Sequence, residues 1–326
     1  MWEGHPAPAK TIGAVMSLLH RQRMHSISAD IARTARRAQD VLGATAERTV
    51  AFILSRLNKD GGFRGRGGAS DLYYSFFAAA ALDALGVQPP RTDLAAFLVR
   101  QGSPASLDFI HAACLARLRA LLEGPALPSA DRAALAARIE DFRAAGGGYK
   151  HSNACTGGSV YGCLMASLVH EDLGVAVPDP DGILACINQL RTADGAYANE
   201  QSLPLGTTTA TAGALVLLDA LDRPPDEPAL RWLASQWSDA GGFIATPGAP
   251  VPDLLSTGTA LYALTRLHRP LPVSAHKCGD AIRAFLDPSG GFRGVVFDTM
   301  PDCEYTFYGL LAVGCAAGNS SIVDSR

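Results

Sequence analysis

Charged residues stand between glycine-rich turns and aromatic runs at two places in this chain. The stretch GGFRGRGGASDLYYSFF carries Arg64, Arg66 and Asp71, and near the carboxyl end DCEYTFYG carries Asp302 and Glu304. Carboxylates in apolar surroundings can be held protonated as general acids, or they can bind a cation. We therefore interpret these charges as candidates for a site, although a carboxylate at a helix start is also explained by capping alone.

The composition excludes several classes of protein. The chain has 326 residues, 48% of them hydrophobic, and its net charge of −3 provides no basic surface for nucleic acid. No window reaches the roughly 18 uninterrupted apolar residues of a membrane span. Seven cysteines lie in apolar runs, which predicts reduced thiols and a cytoplasmic location. No CxxC pair is present, so we do not expect a cysteine-rich zinc site, and His151 is interpreted as a solvated turn residue.

A glycine-rich turn ending in an aromatic residue recurs along the chain. The last four copies are 46 to 49 residues apart, and the first is separated from them by 86 residues, which leaves room for one degenerate copy near 101–110. The sequence therefore predicts six repeats. The aromatic residues of the five clear copies are Phe63, Tyr149, Tyr197, Phe243 and Phe292.

Each repeat contains two helical patterns with different surfaces. An amphipathic stretch precedes each turn, and a stretch that is apolar nearly all round follows it. A helix without a polar face must be enclosed, so the first set predicts an outer ring and the second an inner ring. The fold class is thus all-α, an α/α toroid of six hairpins over 46–316, preceded by a tail and an extra helix over 1–45 and followed by a tail over 317–326. The last inner stretch, 303–315, is as apolar as the others, which favours a closed ring.

The repeated GGF turns, each leading into an apolar inner helix, resemble those of the protein prenyltransferase β-subunit and terpenoid cyclase (squalene cyclase-type) superfamily. The resemblance implies a toroid with a deep apolar cavity. Within it, Arg66 matches an arginine that holds the diphosphate, Asp71 a zinc-binding aspartate and Tyr74 a tyrosine, whereas Tyr73 stands where the zinc-binding cysteine belongs. His111, in the segment DFIH, matches the third zinc ligand.

The last repeat also departs from the family pattern. Asp302 stands where the resemblance places a diphosphate-binding histidine, which adds repulsion toward phosphate. The Asp-x-Asp-Asp motif of the cyclase branch is absent, and DPDG at 179–182 precedes an outer helix, where a turn and cap explain it. If the ring closes, the starts of the sixth, first and second inner helices meet at one rim. The expected site then has Asp71, Asp302 and Glu304 as catalytic residues, Arg64, Arg66, Tyr73, Tyr74, Tyr305 and Tyr308 as substrate-binding residues, and Asp71 with His111 as ligands of a divalent metal, zinc or magnesium.

Three functions are open at this point. The first is a prenyltransferase- or cyclase-like enzyme that acts on an isoprenoid or similar apolar small molecule, a prenyl diphosphate being one candidate. The second is a β-type subunit that needs a helical-repeat α partner, of which the near-neutral charge gives no sign. The third is a non-catalytic ligand-binding toroid, because the fold alone does not determine function.

Overall fold

The computed structural model describes residues 26–203 and 205–323. Two helices, α1 (Ile27–Arg36) and α2 (Ala38–Leu42), precede six helical hairpins. Two 3₁₀ turns and a short antiparallel pair, β1 (Trp237–Ser238) with β2 (Gly242–Phe243), lie in the connections. The outer helices are α3 (Ala44–Leu54), α5 (Arg91–Val99), α7 (Ser129–Glu140), α9 (Pro180–Gln189), α11 (Glu227–Ser235) and α13 (Ala275–Arg283). The inner helices are α4 (Leu72–Ala84), α6 (Phe109–Glu123), α8 (Val160–Leu173), α10 (Thr208–Ala220), α12 (Leu254–Arg266) and α14 (Cys303–Val323).

The glycine turns join each outer helix to the next one around the ring. Gly61 has a φ of +84°, and a Cβ there would lie 2.1 Å from the backbone oxygen of Asp93 in α5. Gly290, in the last turn, has a φ of +98°, and its Cβ would lie 2.4 Å from the backbone of Arg48 in α3. The Thr49 hydroxyl donates to the Gly290 carbonyl at 2.8 Å. The sixth repeat therefore packs on the first, and the predicted closed toroid is confirmed.

The turn aromatics tie the outer ring to the inner ring. Phe63, Phe243 and Phe292 are at most 1% exposed. The Phe63 N–H donates to the Ser75 hydroxyl on α4 at 2.9 Å, and the Phe292 N–H donates to the Thr306 hydroxyl on α14 at 3.1 Å. The buried ring and this hydrogen bond hold the turn at a fixed position along the inner helix. The residues that follow the turn therefore lie near the N-terminal end of that helix.

Helix α1 covers the opposite end of the inner ring. Arg36 forms an ion pair of 2.8 Å with Asp83 near the end of α4, and the Ser26 hydroxyl donates to Glu171 near the end of α8 at 2.8 Å. Ile27 is fully buried. We call this end of the ring, where the inner helices finish, the closed end, and the end where they begin the mouth. No helix in the described ranges is long and apolar enough to cross a membrane.

Candidate functional site at the mouth

Two carboxylates at the mouth cap their own helix with one oxygen and bind a neighbouring repeat with the other. Asp71 Oδ1 accepts the backbone N–H groups of Tyr73 and Tyr74 at 2.7 and 3.2 Å, while its Oδ2 lies 3.0 Å from His111 Nε2. Asp302 Oδ1 accepts the Tyr305 N–H at 3.0 Å, and its Oδ2 accepts from an arginine of the first repeat. Each of the two acids therefore caps its own helix with one oxygen and contacts a neighbouring repeat with the other.

His111 lies between two carboxylates. Its Nδ1 is 2.8 Å from Asp108 Oδ2, and its Nε2 contacts Asp71 in the preceding repeat. Burial lowers the pKa of His111, but the hydrogen bonds and charges of Asp71 and Asp108 outweigh it, so the pKa lies above the ordinary value of 6.5. Burial raises the pKa of Asp108, whereas the hydrogen bonds from His111 lower it, and the net shift is downward. The three side chains form an ion triplet that links α4 to α6.

Arg66 links the first repeat to the sixth. Its Nε donates to Asp302 Oδ2 at 3.0 Å, its Nη2 donates to Asp298 Oδ2 at 2.7 Å, and its guanidinium carbon lies 5.6 Å from the centre of the Tyr305 ring. Asp302 is only 1% exposed, so this bond provides its cationic partner. Sequence analysis missed Asp298; its position four residues before Asp302, in the same turn, is the signal that could have found it.

Three of the expected substrate-binding residues pack on the turns. Arg64 donates to the Ser55 carbonyl at 2.8 Å and to Asn58 Oδ1 at 3.0 Å, so it faces the end of α3 and is not brought together with the acids. The Tyr74 ring covers Gly65, where a Cβ would lie 2.4 Å from it. The Tyr305 ring covers Gly294 in the same way, with a separation of 2.6 Å. Burial raises the pKa of Tyr305 to about 12, so the hydroxyl stays protonated.

Like Asp253 at the start of α12, Glu304 is a carboxyl group at the mouth that forms no ion pair within the described residues. It is half-buried, and the Tyr73 hydroxyl donates to its Oε1 at 2.6 Å. Burial raises the pKa of Glu304, the Tyr73 hydrogen bond lowers it, and the charge of Asp302 raises it further, with a net upward shift. Burial also raises the pKa of Asp302, although Arg66 opposes the shift. Glu304 is therefore the group best placed to hold a proton that it can give away.

Aromatic rings from several inner helices surround Glu304. Tyr73 on α4, Tyr161 on α8 and Tyr308 on α14 are each half-buried, and burial raises the pKa of all three hydroxyls. The Phe77 ring lies 4.8 Å from Tyr73 and 5.7 Å from Tyr308, centre to centre. The charge of Glu304 acts on all three tyrosines, which places helices from opposite sides of the ring around one group. Glu304 thus lies among aromatic side chains from three inner helices.

The family's zinc site does not fit the residues at this place. Asp71 and His111 are in contact, but both ring nitrogens of His111 already face carboxylates. The Tyr73 hydroxyl, at the position of the missing cysteine, is engaged with Glu304. A catalytic zinc ion takes three protein ligands and a structural one takes four. Only two of the family positions provide a ligand here, so no reaction step is derived through a metal bound to them.

Comparison with known proteins places the chain in a family. The type II terpene cyclase MstE from Scytonema superposes with a TM-score of 0.62 at 15% identity, covering 87% of this chain and 99% of that one. A variant of MstE in complex with geranylgeranyl dihydroxybenzoate, its substrate, gives 0.60 at 14% identity over 87% and 99%. A protein from Actinoplanes gives 0.57 at 16% identity over 86% and 99%. These likenesses show the fold.

A comparison with curated protein sequences finds no match. The sequence model of the prenyltransferase α/α-toroid domain matches residues 11–106, 95–235 and 210–322, which together span most of the chain. With the closed ring of six hairpins described above, this match shows that the chain belongs to the prenyltransferase α/α-toroid domain family.

Proposed function

We propose that the chain is a terpenoid cyclase-like enzyme that protonates an isoprenoid chain at the mouth, with Glu304 as the proton donor. The observation that carries the proposal is the Glu304 carboxyl, whose pKa burial raises, among the aromatic side chains of Tyr73, Tyr161 and Tyr308. Solved relatives of the same fold support it, since MstE binds a geranylgeranyl compound. Expected ligands are therefore isoprenoids with a polar head.

The proposed step moves one proton and creates one cation. The Glu304 carboxyl gives its proton to a terminal carbon–carbon double bond, whose π electrons form the new C–H bond and leave a tertiary cation. A second double bond of the same chain attacks this cation and closes a ring, and loss of a proton to water or to a carboxylate ends the reaction. The Tyr73 hydrogen bond stabilises the carboxylate left on Glu304. The faces of Tyr161, Tyr308 and Phe77 stabilise the cation by cation–π contact.

Asp302 and Arg66 act on Glu304 without touching the substrate in this proposal. The negative charge of Asp302 raises the pKa of Glu304, and the positive charge of Arg66 lowers it. Because Arg66 is bonded to Asp302 and Asp298, both charges are held in place. The pair is a positioning element for the proton donor.

A turnover assay tests the proposal. Purified chain is incubated with geranylgeranyl dihydroxybenzoate, geranylgeraniol or geranylgeranyl diphosphate in deuterated water, and products are analysed by mass spectrometry. We expect a cyclic product carrying one deuterium from the initiating step, and a 10²- to 10⁴-fold lower rate for Glu304→Gln, about the contribution of general acid catalysis. Glu47→Gln, an exposed acid on α3, is the matched control. Equal turnover by wild type and Glu304→Gln would refute the assignment.

The pH dependence of kcat/KM is a second test of the proposal. Because burial raises the pKa of Glu304, the reactive proton is present below that pKa and lost above it. We expect kcat/KM to fall as the pH rises through this value. A rate that increases with pH would instead indicate a general base.

Metal-assisted prenyl transfer is an alternative that the same assay separates, although Asp71 and His111, 3.0 Å apart, provide only two of the family's three zinc ligands. It predicts diphosphate release from geranylgeranyl diphosphate that depends on added zinc or magnesium and is lost in Asp71→Asn. A β-type subunit would show this activity only with a partner, and a binding toroid would retain an isoprenoid without turnover. Deuterium-labelled cyclic product distinguishes the cyclase from all three.

A further inference from the structure

Three potential metal ligands meet at the mouth, across the ring from the acids. His151 and Cys155 lie in the connection between α7 and α8, and Glu200 lies in the connection between α9 and α10. Cys155 Sγ is 3.6 Å from His151 Nε2 and 3.4 Å from Glu200 Oε2. All three ligand atoms lie within 4.8 Å of one another, and among residues 26–203 and 205–323 no other such trio of His, Cys, Asp or Glu is found.

Two of the three separations between these atoms match the edges of a tetrahedral metal site. Zinc binds sulfur at about 2.3 Å and nitrogen or oxygen at about 2.0–2.1 Å, so at the tetrahedral angle the sulfur-to-nitrogen and sulfur-to-oxygen edges are about 3.6 Å. The observed separations from Cys155 to His151 and to Glu200 are 3.6 and 3.4 Å. An ion could therefore be bound by small shifts of these side chains.

A neighbouring hydroxyl orients the imidazole. Ser159 caps α8 by accepting the Gly162 N–H at 2.9 Å, and its Oγ also lies 2.9 Å from His151 Nδ1. Cys155 Sγ lies 3.5 Å from Nδ1 and 3.6 Å from Nε2, and when Nδ1–H donates to the Ser159 hydroxyl, Nε2 is the nitrogen left to bind an ion. A metal-binding histidine commonly has its second nitrogen held in this way.

Backbone contacts hold the other two ligands. The carbonyl and side-chain oxygens of Asn199, next to Glu200, accept the N–H groups of Val160 and Tyr161, each at 3.0 Å. The Ser152 hydroxyl lies 3.3 Å from Cys155 Sγ and can donate to a thiolate. The turn that carries Glu200 is thus hydrogen-bonded to the start of α8, the helix that follows His151 and Cys155.

We propose that His151, Cys155 and Glu200 bind a divalent zinc-type metal ion, with the fourth position open to solvent or to an oxygen ligand. On binding, the Cys155 thiol loses its proton to solvent, so that one thiolate and one carboxylate balance the two positive charges. Three protein ligands with an open position are the pattern of catalytic zinc. The site is separate from the Asp71 and His111 pair, and its existence does not depend on the cyclase function.

Cobalt titration tests the site directly. Chelator-treated chain is titrated with Co²⁺ alone, and absorbance is followed for the sulfur-to-cobalt charge-transfer band and the intense visible bands of tetrahedral cobalt. We expect saturation at one ion per chain, loss of the charge-transfer band in Cys155→Ser, and at least about tenfold weaker binding in Glu200→Gln. Cys278→Ala, which removes a buried thiol of α13, is the matched control and should keep the band.

A second measurement needs no variant. Zinc should protect Cys155 from alkylation by iodoacetamide in the wild-type chain, as read by peptide mass spectrometry. The proposal is overturned if wild type shows no charge-transfer band, if Cys155→Ser keeps it, or if Cys155 reacts at the same rate with and without zinc. A band lost in His111→Gln but kept in Cys155→Ser would place the metal at the other pair and would equally refute the proposal.

Discussion

The two ends of the ring each hold an arginine between two aspartates, but the surroundings differ. At the closed end Arg266 is 6% exposed and contacts Asp219 at 2.8 Å and Asp30 of α1 at 3.5 Å. At the mouth Arg66 is 34% exposed and contacts Asp298 at 2.7 Å and Asp302 at 3.0 Å. Helix α1 supplies a partner and excludes water at the first place only. The same charge pattern therefore stabilises one end and stays accessible to ligands at the other.

Buried glutamates show the same difference. Glu171 at the closed end accepts hydrogen bonds from the Ser26 hydroxyl and the Ser28 N–H, both at 2.8 Å, and these oppose the rise in its pKa caused by burial. Glu304 at the mouth has one such donor, Tyr73, and at both glutamates the charge of a neighbouring aspartate, Asp172 or Asp302, adds to the effect of burial. The two glutamates therefore differ in the number of their hydrogen-bond donors, and the one with a single donor is the proton donor of the proposed function.

Replacing the arginines gives the largest expected contrast in stability. Arg266→Met should lower the free energy of unfolding by about 3 kcal/mol, because it removes a guanidinium that is only 6% exposed and that bonds Asp219 and Asp30, although Asp30 keeps Arg33 as a second partner. Arg66→Met should cost less, about 1–2 kcal/mol, because the carboxyl of Asp302, although only 1% exposed, keeps the Tyr305 N–H as a donor and can take up a proton. Urea unfolding at neutral pH measures both. Equal losses would show that α1 does not make the closed end different.

The contact between α1 and α14 gives a smaller expected effect. Gly314 lies where a Cβ would be 1.9 Å from the Thr34 carbonyl oxygen, so Gly314→Ala should destabilise the chain by about 1–3 kcal/mol through overpacking. Gly279, in the exposed helix α13, has nothing within 4 Å of its Cβ position. Gly279→Ala should therefore stabilise by about 0.5–1 kcal/mol, the ordinary preference of a helix for alanine. If both variants lose stability alike, α1 does not pack tightly on α14.

The ion triplet at the mouth gives the smallest effect, below about 1 kcal/mol because the groups are partly exposed. The pKa of His111 is raised above 6.5, so its contribution is complete below pH 6.5 and is lost as the pH rises through the higher value. The pKa of Asp108 is lowered below 3.8, so its contribution is present above pH 3.8 and is lost on acidification. The stability difference between wild type and His111→Gln should therefore be largest near pH 5–6 and shrink by pH 9. A difference that grows toward pH 9 would contradict this.

Much of the fold could be predicted from the sequence because it follows from repetition. A glycine turn that places an aromatic against an inner helix has the same requirements in each copy, so the copies are visible as a pattern. Closure then brings the sixth repeat beside the first, and Arg66 reaches Asp302 across 236 positions of sequence. Asp71 and His111 lie in adjacent repeats, so their contact could be predicted in the same manner.

Side-chain directions in the turns could not be predicted. Arg64 and Arg66 are separated only by Gly65, yet one faces α3 and the other faces the sixth repeat. Cys155 and Glu200 are 45 positions apart in two irregular connections, where no periodicity relates one side chain to the other. The histidine that sequence analysis interpreted as solvated acquires its partners only through the folding of both turns.

Helix α1 also bears on how a reaction in the ring would end. Among the described residues α1 packs over the far end of the ring, so under the proposed function an isoprenoid would enter and leave at the mouth. Water that reached the carbocation from the closed end would convert it to an alcohol. If α1 keeps this water out, the carbocation would instead lose a proton and form an alkene. If α1 excludes water in this way, the intact chain should give products without hydroxyl groups. A chain shortened to begin at residue 38 should give hydroxylated products.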